Sequence, residues 1–200
     1  MKILAVADIH GSQHRLNLIL KNIEKYSPEL VVICGDLTQF GPGEVAKNLL
    51  NQIPIKTFVV VGNIDTPEVE KAVNDSKAMN IRLKKVEHKG IFFIGVSGLY
   101  SDDFKILSEK NILDEKSILV SHKPPYGTQD KVFFGKHSGS RELKEIIEKF
   151  KPRLVLCGHI HEDPGFTKIG GTVVVNCSMG KRGEGAFIEL NGEISVNMLN

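Results

Sequence analysis

Five short apolar segments divide the chain, and each one ends at a small group of polar residues. These segments cover residues 3–7, 30–34, 57–61, 117–120 and 154–157. Short apolar runs that stop at glycine or polar residues are typical of buried β-strands. Between them, apolar residues recur at helical spacing, which predicts helices over residues 16–23, 45–50, 68–73 and 143–150. This alternation of strands and helices favours a mostly parallel sheet.

Four further apolar segments follow a different pattern. They cover residues 91–96, 172–175, 186–190 and 194–198, with short turn signals such as Asn191-Gly192 between them. The last segment alternates apolar and polar residues, as a half-exposed antiparallel strand does. We therefore expect an α/β protein in which two sheets pack face to face as a β-sandwich flanked by helices.

Composition narrows the class of protein without identifying a function. The chain has 200 residues, of which 41% are hydrophobic and 25% charged, and we expect one globular domain over residues 1–200. A formal net charge of +2 is too small to argue for nucleic acid or a membrane surface. No apolar run approaches the ~20 residues of a membrane span, and residues 3–7 do not resemble a signal peptide. Three cysteines in apolar runs favour a reducing, cytoplasmic setting.

Polar residues that commonly bind metals follow all five of the first strands. In a parallel sheet these strand ends meet at one edge, where ligands bind. Side chains two residues apart on an extended backbone also lean to the same side, which applies to two pairs in this set. The candidates are Asp8, His10, Asp36, Asn63, His122, His159 and His161.

This donor set contains oxygen and nitrogen but no sulfur, which suits Mn, Fe, Zn, Ni or Mg. Seven donors are too many for one small ion and about right for two divalent ions, if Asp36 is shared between them. Two such ions carry more positive charge than Asp8 and Asp36 offset, which favours an anionic ligand such as a phosphate.

Five motifs in this order resemble the calcineurin-like metallophosphoesterase superfamily, especially its small single-domain bacterial and archaeal members. They are Asp8-x-His10, Gly35-Asp36, Gly62-Asn63-x-Asp65, His122 and Gly158-His159-x-His161. The resemblance implies a four-layer fold and hydrolysis of phosphomonoesters or phosphodiesters by a metal-bound hydroxide. It also implies that Asp8, His10, Asp36 and His161 hold one ion. The second ion would be held by Asp36, Asn63, His122 and His159.

One position departs from this pattern. Many members carry a histidine after the asparagine of the third motif, where it is thought to contact phosphate or protonate the leaving group, but this chain has Ile64. General acid catalysis contributes roughly 10²–10⁴-fold, so we expect a preference for substrates with good leaving groups.

The long segment 123–139 is the candidate substrate rim because it directly follows His122. Within it, His137 is a candidate proton donor, although an ordinary surface histidine is at least as good an interpretation. Exposed amides near Ser138 and Ser140 would suit an anion at the start of the following helix, so Ser140 is a candidate substrate contact. Asn63 is a second candidate substrate contact. Phe133 and Phe134 would equally line a pocket or pack a homo-oligomer.

Two alternatives use the same fold. One is a non-catalytic scaffold, although scaffolds tend to lose metal ligands and this chain retains all seven. The other is a nuclease, for which neither the length nor the charge balance supplies a binding surface, so nucleic acid is not the expected partner. The predicted partner is a small phosphoester substrate, whose identity the sequence does not specify.

Overall fold

A computed structural model describes residues 1–181 and 183–200 of the chain. In chain order the strands are β1 (Lys2–Val6), β2 (Leu30–Cys34), β3 (Thr57–Val60), β4 (Met79–Asn80), β5 (Lys85–His88), β6 (Ile91–Val96), β7 (Ile118–Ser121), β8 (Leu154–Cys157), β9 (Gly165–Ile169), β10 (Thr172–Asn176), β11 (Gly185–Asn191) and β12 (Glu193–Leu199). The helices are α1 (Gln13–Tyr26), α2 (Gly43–Gln52), α3 (Pro67–Asn74), α4 (Asp103–Lys110) and α5 (Arg141–Phe150).

The strands form two six-stranded mixed sheets. The first has the order β12-β11-β1-β2-β3-β4 and the second the order β5-β6-β7-β8-β10-β9. In the first sheet, β1 to β4 run parallel, and β11 and β12 add an antiparallel edge. In the second, β6, β7, β8 and β10 run parallel, with β5 and β9 antiparallel at the edges. Each sheet therefore has a parallel centre, as the alternation of strands and helices predicted.

Alternate residues of each central strand face opposite layers of apolar core. In β1, Ile3 and Ala5 join a core between the two sheets, whereas Leu4 and Val6 face α1, α2 and α3. A third apolar layer, which includes Val155 of β8, packs the second sheet against α4 and α5. The result is the layer order helices, sheet, sheet, helices, so the predicted sandwich is confirmed.

Local signals fixed the ends of several helices. The Ser12 and Thr66 hydroxyls accept hydrogen bonds from the backbone N–H groups of Arg15 and Val69 at the starts of α1 and α3. Four elements were not predicted: α4, β4, β5 and β9. In β5 the charged and polar residues of an exposed edge strand hide the apolar signal. None of the described helices is long and apolar enough to cross a membrane.

Candidate metal centre

The loops that follow β1 and β8 bring the first group of candidate ligands together. The two Nε2 atoms of His10 and His161 are 3.3 Å apart, and His161 Nε2 lies 3.5 Å from Asp8 Oδ1. Asp8 is fully buried, whereas a third of the His161 side chain is exposed. These three side chains present ligand atoms close enough to hold one metal ion.

The backbone that presents these side chains is not the extended chain that we expected. Asp8, His10 and His159 have φ values of 63°, 53° and 72°, all in the left-handed region. Asp and His visit that region more readily than most residues, and backbone hydrogen bonds hold them there. The Asp8 and His10 amides donate to the carbonyls of Gly35 and Asp36, at 3.0 and 2.9 Å. The strand ends therefore converge as predicted, but through tight turns rather than extended segments.

The second group lies between the ends of β2, β3, β7 and β8. His122 Nε2 is 2.7 Å from Asn63 Oδ1, 3.2 Å from His159 Nδ1 and 3.4 Å from Asp36 Oδ1. Asp36, His122 and His159 present ligand atoms that could hold an ion, and Asn63 Oδ1 lies beside them. The Asp8 carboxylate accepts a hydrogen bond from the His159 amide at 3.0 Å, which joins the two groups.

The hydrogen-bond contacts of His122 make this second group suited to a cation. His122 Nδ1 lies 2.8 Å from the Cys34 carbonyl oxygen, which can only accept a hydrogen bond. In the neutral ring Nε2 is then an acceptor, and it faces the acceptor oxygens of Asp36 and Asn63. Converging lone pairs repel one another unless a cation lies between them. The donor chemistry of the described residues therefore fits a divalent metal.

Burial and mutual contacts shift the proton affinities of these groups. Burial raises the pKa of Asp36 to about 6 and lowers the pKa of His159 to about 4. The hydrogen bond with Asp8 raises the pKa of His161, while burial lowers the pKa of His10. Burial also acts to raise the pKa of Asp8, but the hydrogen bond with His161 and other contacts outweigh it, so the pKa lies below its ordinary value.

Close packing against glycines fixes the second group in place. A Cβ on Gly62 would lie 1.9 Å from Asp36 Oδ1, so no side chain fits there. A Cβ on Gly98 would lie 2.6 Å from His122 Cδ2 and 2.7 Å from the Asn63 amide nitrogen. Gly98 was not singled out in the sequence, because nothing in the residues around it indicates that it touches the ligands.

Two buried side chains that we did not assign hold the ligand loops. Asp65 accepts hydrogen bonds from the amides of Leu37, Thr38 and Gly62, at 2.8–3.1 Å, and so ties the Asp36 loop to the Asn63 loop. Asn176 donates to the carbonyls on either side of His161, at Ile160 and Asp163. Asp65 belongs to the third motif, so its position in that motif could have indicated a function at the metal centre. The function of Asn176 had no sequence signal beyond its place at a strand end.

A groove of about 640 Å³ adjoins the metal centre. Gly98, which contacts His122 and the backbone of Asn63, forms one wall, and Lys123 follows the ligand His122 directly. The rest of the groove comes from loops and from the starts of α4 and α5. Residues that line it include Ser97, Tyr100, Tyr126, His137, Ser140 and Arg141.

The segment 123–139 lies beside the centre, and a buried aspartate organises it. Asp130 Oδ1 lies 2.5 Å from His137 Nδ1, and Asp130 Oδ2 accepts hydrogen bonds from the amides of Gly127 and Gly139. Asp130 is fully buried and His137 is about one-third exposed. Nothing in the sequence indicated that Asp130 is buried and orients His137.

Three backbone amides near Ser140, where we expected an anion, are engaged within the loop itself. The amides of Ser138, Gly139 and Ser140 donate to the Asp130 carbonyl, the Asp130 carboxylate and the Pro124 carbonyl. The Ser140 hydroxyl oxygen accepts from the amide of Leu143 as the N-cap of α5. An anion therefore cannot use these three amides, whereas the Ser140 hydroxyl proton stays available to a substrate.

Three other predicted positions are placed as follows. The Ile64 amide donates to Asp36 Oδ1 at 3.2 Å, so this residue supports a ligand through its backbone. Phe133 and Phe134 are 68% and 99% exposed and do not line this groove. The homo-oligomer alternative stays a prediction.

Comparisons with known proteins agree with this architecture. The calcineurin-like phosphoesterase family model matches residues 1–163. An uncharacterised protein of Methanocaldococcus jannaschii is 36% identical over 201 residues, which cover 89% of this chain and 88% of that protein. A probable glycerophosphodiester phosphodiesterase, GpdQ, of Arcobacter nitrofigilis is 27% identical over 175 residues, which cover 77% of this chain and 64% of that protein. The solved structure of an archaeal phosphodiesterase superposes with a TM-score of 0.61 over the full length of both chains, at 15% identity.

Proposed function

The chain belongs to the calcineurin-like phosphoesterase family, and from that premise we propose that it hydrolyses small phosphoesters with two divalent metal ions. The observation that carries this proposal is the convergence of the Asp36 and Asn63 oxygens on His122 Nε2, which has no hydrogen to donate to them when the ring is neutral. A second group of donors, centred on Asp8, lies next to it. Two adjoining groups suit two ions better than one.

In this proposal Asp8, His10 and His161 hold the first ion, and Asn63, His122 and His159 hold the second. Asp36 is shared between the ions. When bound, two such ions lower the pKa of a water molecule and neutralise the oxygens of the phosphoryl group. The identity of the ions is left open among Mn, Fe, Zn, Ni and Mg.

The protein's own residues would then position the reacting groups. The Cys34 carbonyl fixes the tautomer of His122, and Asp65 holds the loops of Asp36 and Asn63 at a constant separation. The Asn63 amide and the Ser140 hydroxyl are the candidate contacts to substrate. The leaving alcohol of a phosphodiester would extend into the groove, which has room for it.

Leaving-group protonation is the weak point of this site. Ile64 stands where many relatives carry a histidine, and its side chain cannot donate a proton. His137 is the candidate proton donor, because the contact of Nδ1 with Asp130 leaves Nε2 free for a group in the groove. We expect substrates with acidic leaving alcohols to react fastest, since they need the least protonation.

A phosphoester panel with metal analysis tests this function. The protein is loaded with Mn²⁺, and with other divalent ions in parallel, then assayed on nucleoside monophosphates, cyclic nucleotides, aryl diesters and alkyl diesters. We expect metal-dependent hydrolysis, with aryl diesters preferred by a factor approaching the roughly 10²–10⁴ that a general acid supplies. The Ile64→His variant should narrow that preference, whereas His137→Gln should widen it.

Two results would contradict parts of the proposal separately. Complete inactivity across the panel with two ions bound would overturn the enzyme and favour the scaffold. Equal cleavage of aryl and alkyl diesters by the unmodified protein would overturn only the leaving-group preference.

A further inference from the structure

The groove beside the metal centre contains two cations that pair with no carboxylate of the described residues. Lys123 and Arg141 both line it, and neither forms an ion pair with any residue in the ranges 1–181 and 183–200. Most other lysines and arginines of the described residues also lack an ion-pair partner, so what distinguishes these two is their common place in the groove beside the metal centre.

The fold brings these two cations to one rim by specific contacts. The Tyr126 amide donates to the Ser140 carbonyl at 3.0 Å, and the Ser140 amide donates to the Pro124 carbonyl at 2.8 Å. These bonds join the segment after Lys123 to the start of α5, where Arg141 is the first residue. Lys123 and Arg141 are separated in sequence but held in one wall.

Aromatic packing restricts the Arg141 side chain. Its guanidinium carbon lies 4.2 Å from the centre of the Tyr126 ring, within the range of a cation–π contact. His137 packs on the same ring, with the two ring centres 5.4 Å apart. An arginine held this way loses less conformational freedom on binding a ligand than a free surface side chain does.

The nearby carboxylates do not neutralise this pair. Asp130 is buried, and both of its oxygens are used by His137 and by the amides of Gly127 and Gly139. Glu142 lines the groove but forms no ion pair with Lys123 or Arg141 among the described residues. The groove wall therefore presents two cations that no carboxylate of the described residues pairs directly, next to the proposed metal centre.

Resting on the proposed function, we propose that this wall is a second anion subsite, which binds a charged group on the leaving half of the substrate. The substrate class is then a phosphodiester whose leaving alcohol carries its own carboxylate or phosphate. The scissile phosphoryl group lies at the metal ligands, and the second anion lies between Lys123 and Arg141. Arginine binds either anion through two parallel hydrogen bonds, so both are compatible with this geometry.

A set of matched chromogenic diesters tests the subsite. The esters are a methyl para-nitrophenyl phosphate and two analogues in which the same phenyl ring bears a carboxylate or a phosphonate. With the Mn²⁺-loaded protein, we expect kcat/KM for at least one charged ester to exceed that of the neutral ester about tenfold, as one charge-assisted contact provides. The carboxylate and phosphonate arms identify which anion the subsite prefers.

Substitutions locate the effect in the groove. Arg141→Gln and Lys123→Gln should each reduce the ratio of charged to neutral kcat/KM by about threefold to tenfold. Lys149→Gln, on the exposed end of the same helix, is the matched control and should leave the ratio unchanged, because Lys149 does not line this groove.

The outcomes separate this inference from the proposed function. Metal-dependent hydrolysis with a ratio near one would overturn the subsite and leave the enzyme intact. If no ester is hydrolysed with metal bound, calorimetric titration of the same esters decides the subsite alone. Tighter binding of a charged ester that Arg141→Gln abolishes supports it, and equal binding of all three overturns it.

Discussion

The metal centre and the groove lie side by side but are built in different ways. Every ligand candidate follows a strand end by at most four residues, so the two sheets set the positions of these side chains. The groove comes from loops and the starts of two helices, and the buried Asp130 and the Tyr126 ring hold its shape. This contrast implies that the sheets fix the chemistry, whereas the loops are free to set substrate choice. Substitutions in the two regions should therefore have effects of different size.

The largest effect is expected at Asp36, which the proposed function shares between two ions. Asp36→Ala should reduce kcat/KM by at least about 10³-fold and lower the bound metal, because both ions lose a ligand. Asn63→Ala should cost only about 10–100-fold, since it weakens one ion. Metal analysis and kinetics on both variants check this.

Asp114→Asn is a suitable control, because Asp114 is half-exposed and pairs with Lys85 far from the ligands. This substitution should leave both the bound metal and kcat/KM unchanged. Asp36→Ala protein that keeps two tightly bound ions would show that Asp36 is not shared.

The sequence was informative where strand ends carried the chemistry. Asp36 and His122 each follow an apolar run, and the rule for strand ends then brings them together without knowledge of the loops. The left-handed turns at Asp8 and His10 could not be predicted, because the hydrogen bonds that hold them come from the distant Gly35 and Asp36.

The groove was much less predictable than the centre. Its position beside His122 followed from chain order, but its shape depends on contacts distant in sequence or lacking a pattern. Asp130 has no motif around it, and Gly98 matters only because His122 packs against it. Helix α4, which follows the loop at Gly98, was also missed.

The second prediction concerns the pH dependence of metal binding. This dependence should come from ligands of the metal centre and not from residues of the groove. In the metal-free protein Asp36 has a pKa of about 6, and the pKa of His161 is raised by Asp8. Asp36 is deprotonated at about pH 8, and both groups carry protons at about pH 5, so a metal must then displace those protons. Mn²⁺ affinity should fall at least about tenfold between these two values.

Calorimetry in buffers of different ionisation enthalpy measures both the affinity and the protons released. His159 should contribute little to the proton release between about pH 5 and pH 8, since burial lowers its pKa to about 4. Constant affinity, or no proton release at about pH 5, would contradict the assignment of Asp36 and His161 as ligands. Arg141→Gln should not change this profile, because Arg141 belongs to the groove.

The smallest effect is expected at the outer tip of the groove loop. Phe134 is 99% exposed and has a φ of 63°, where a bulky side chain is strained and glycine is not. Phe134→Gly should therefore raise the free energy of unfolding by up to about 1 kcal/mol, which shifts Tm by roughly 2–4 °C in a chain of this size. Phe133→Gly is the matched control, because Phe133 is not in the left-handed region and should gain nothing.

This last prediction also tests whether the tip belongs to an interface. If two copies of the chain pack through Phe134, its replacement should lower Tm and dissociate the complex, which sedimentation of both variants would detect. A rise in Tm with unchanged sedimentation and unchanged metal affinity would instead show that Phe134 does not form an interface. It would show that the loop tip contributes to neither the fold nor the metal centre, because the structure that orders the groove lies deeper, at Asp130 and Tyr126.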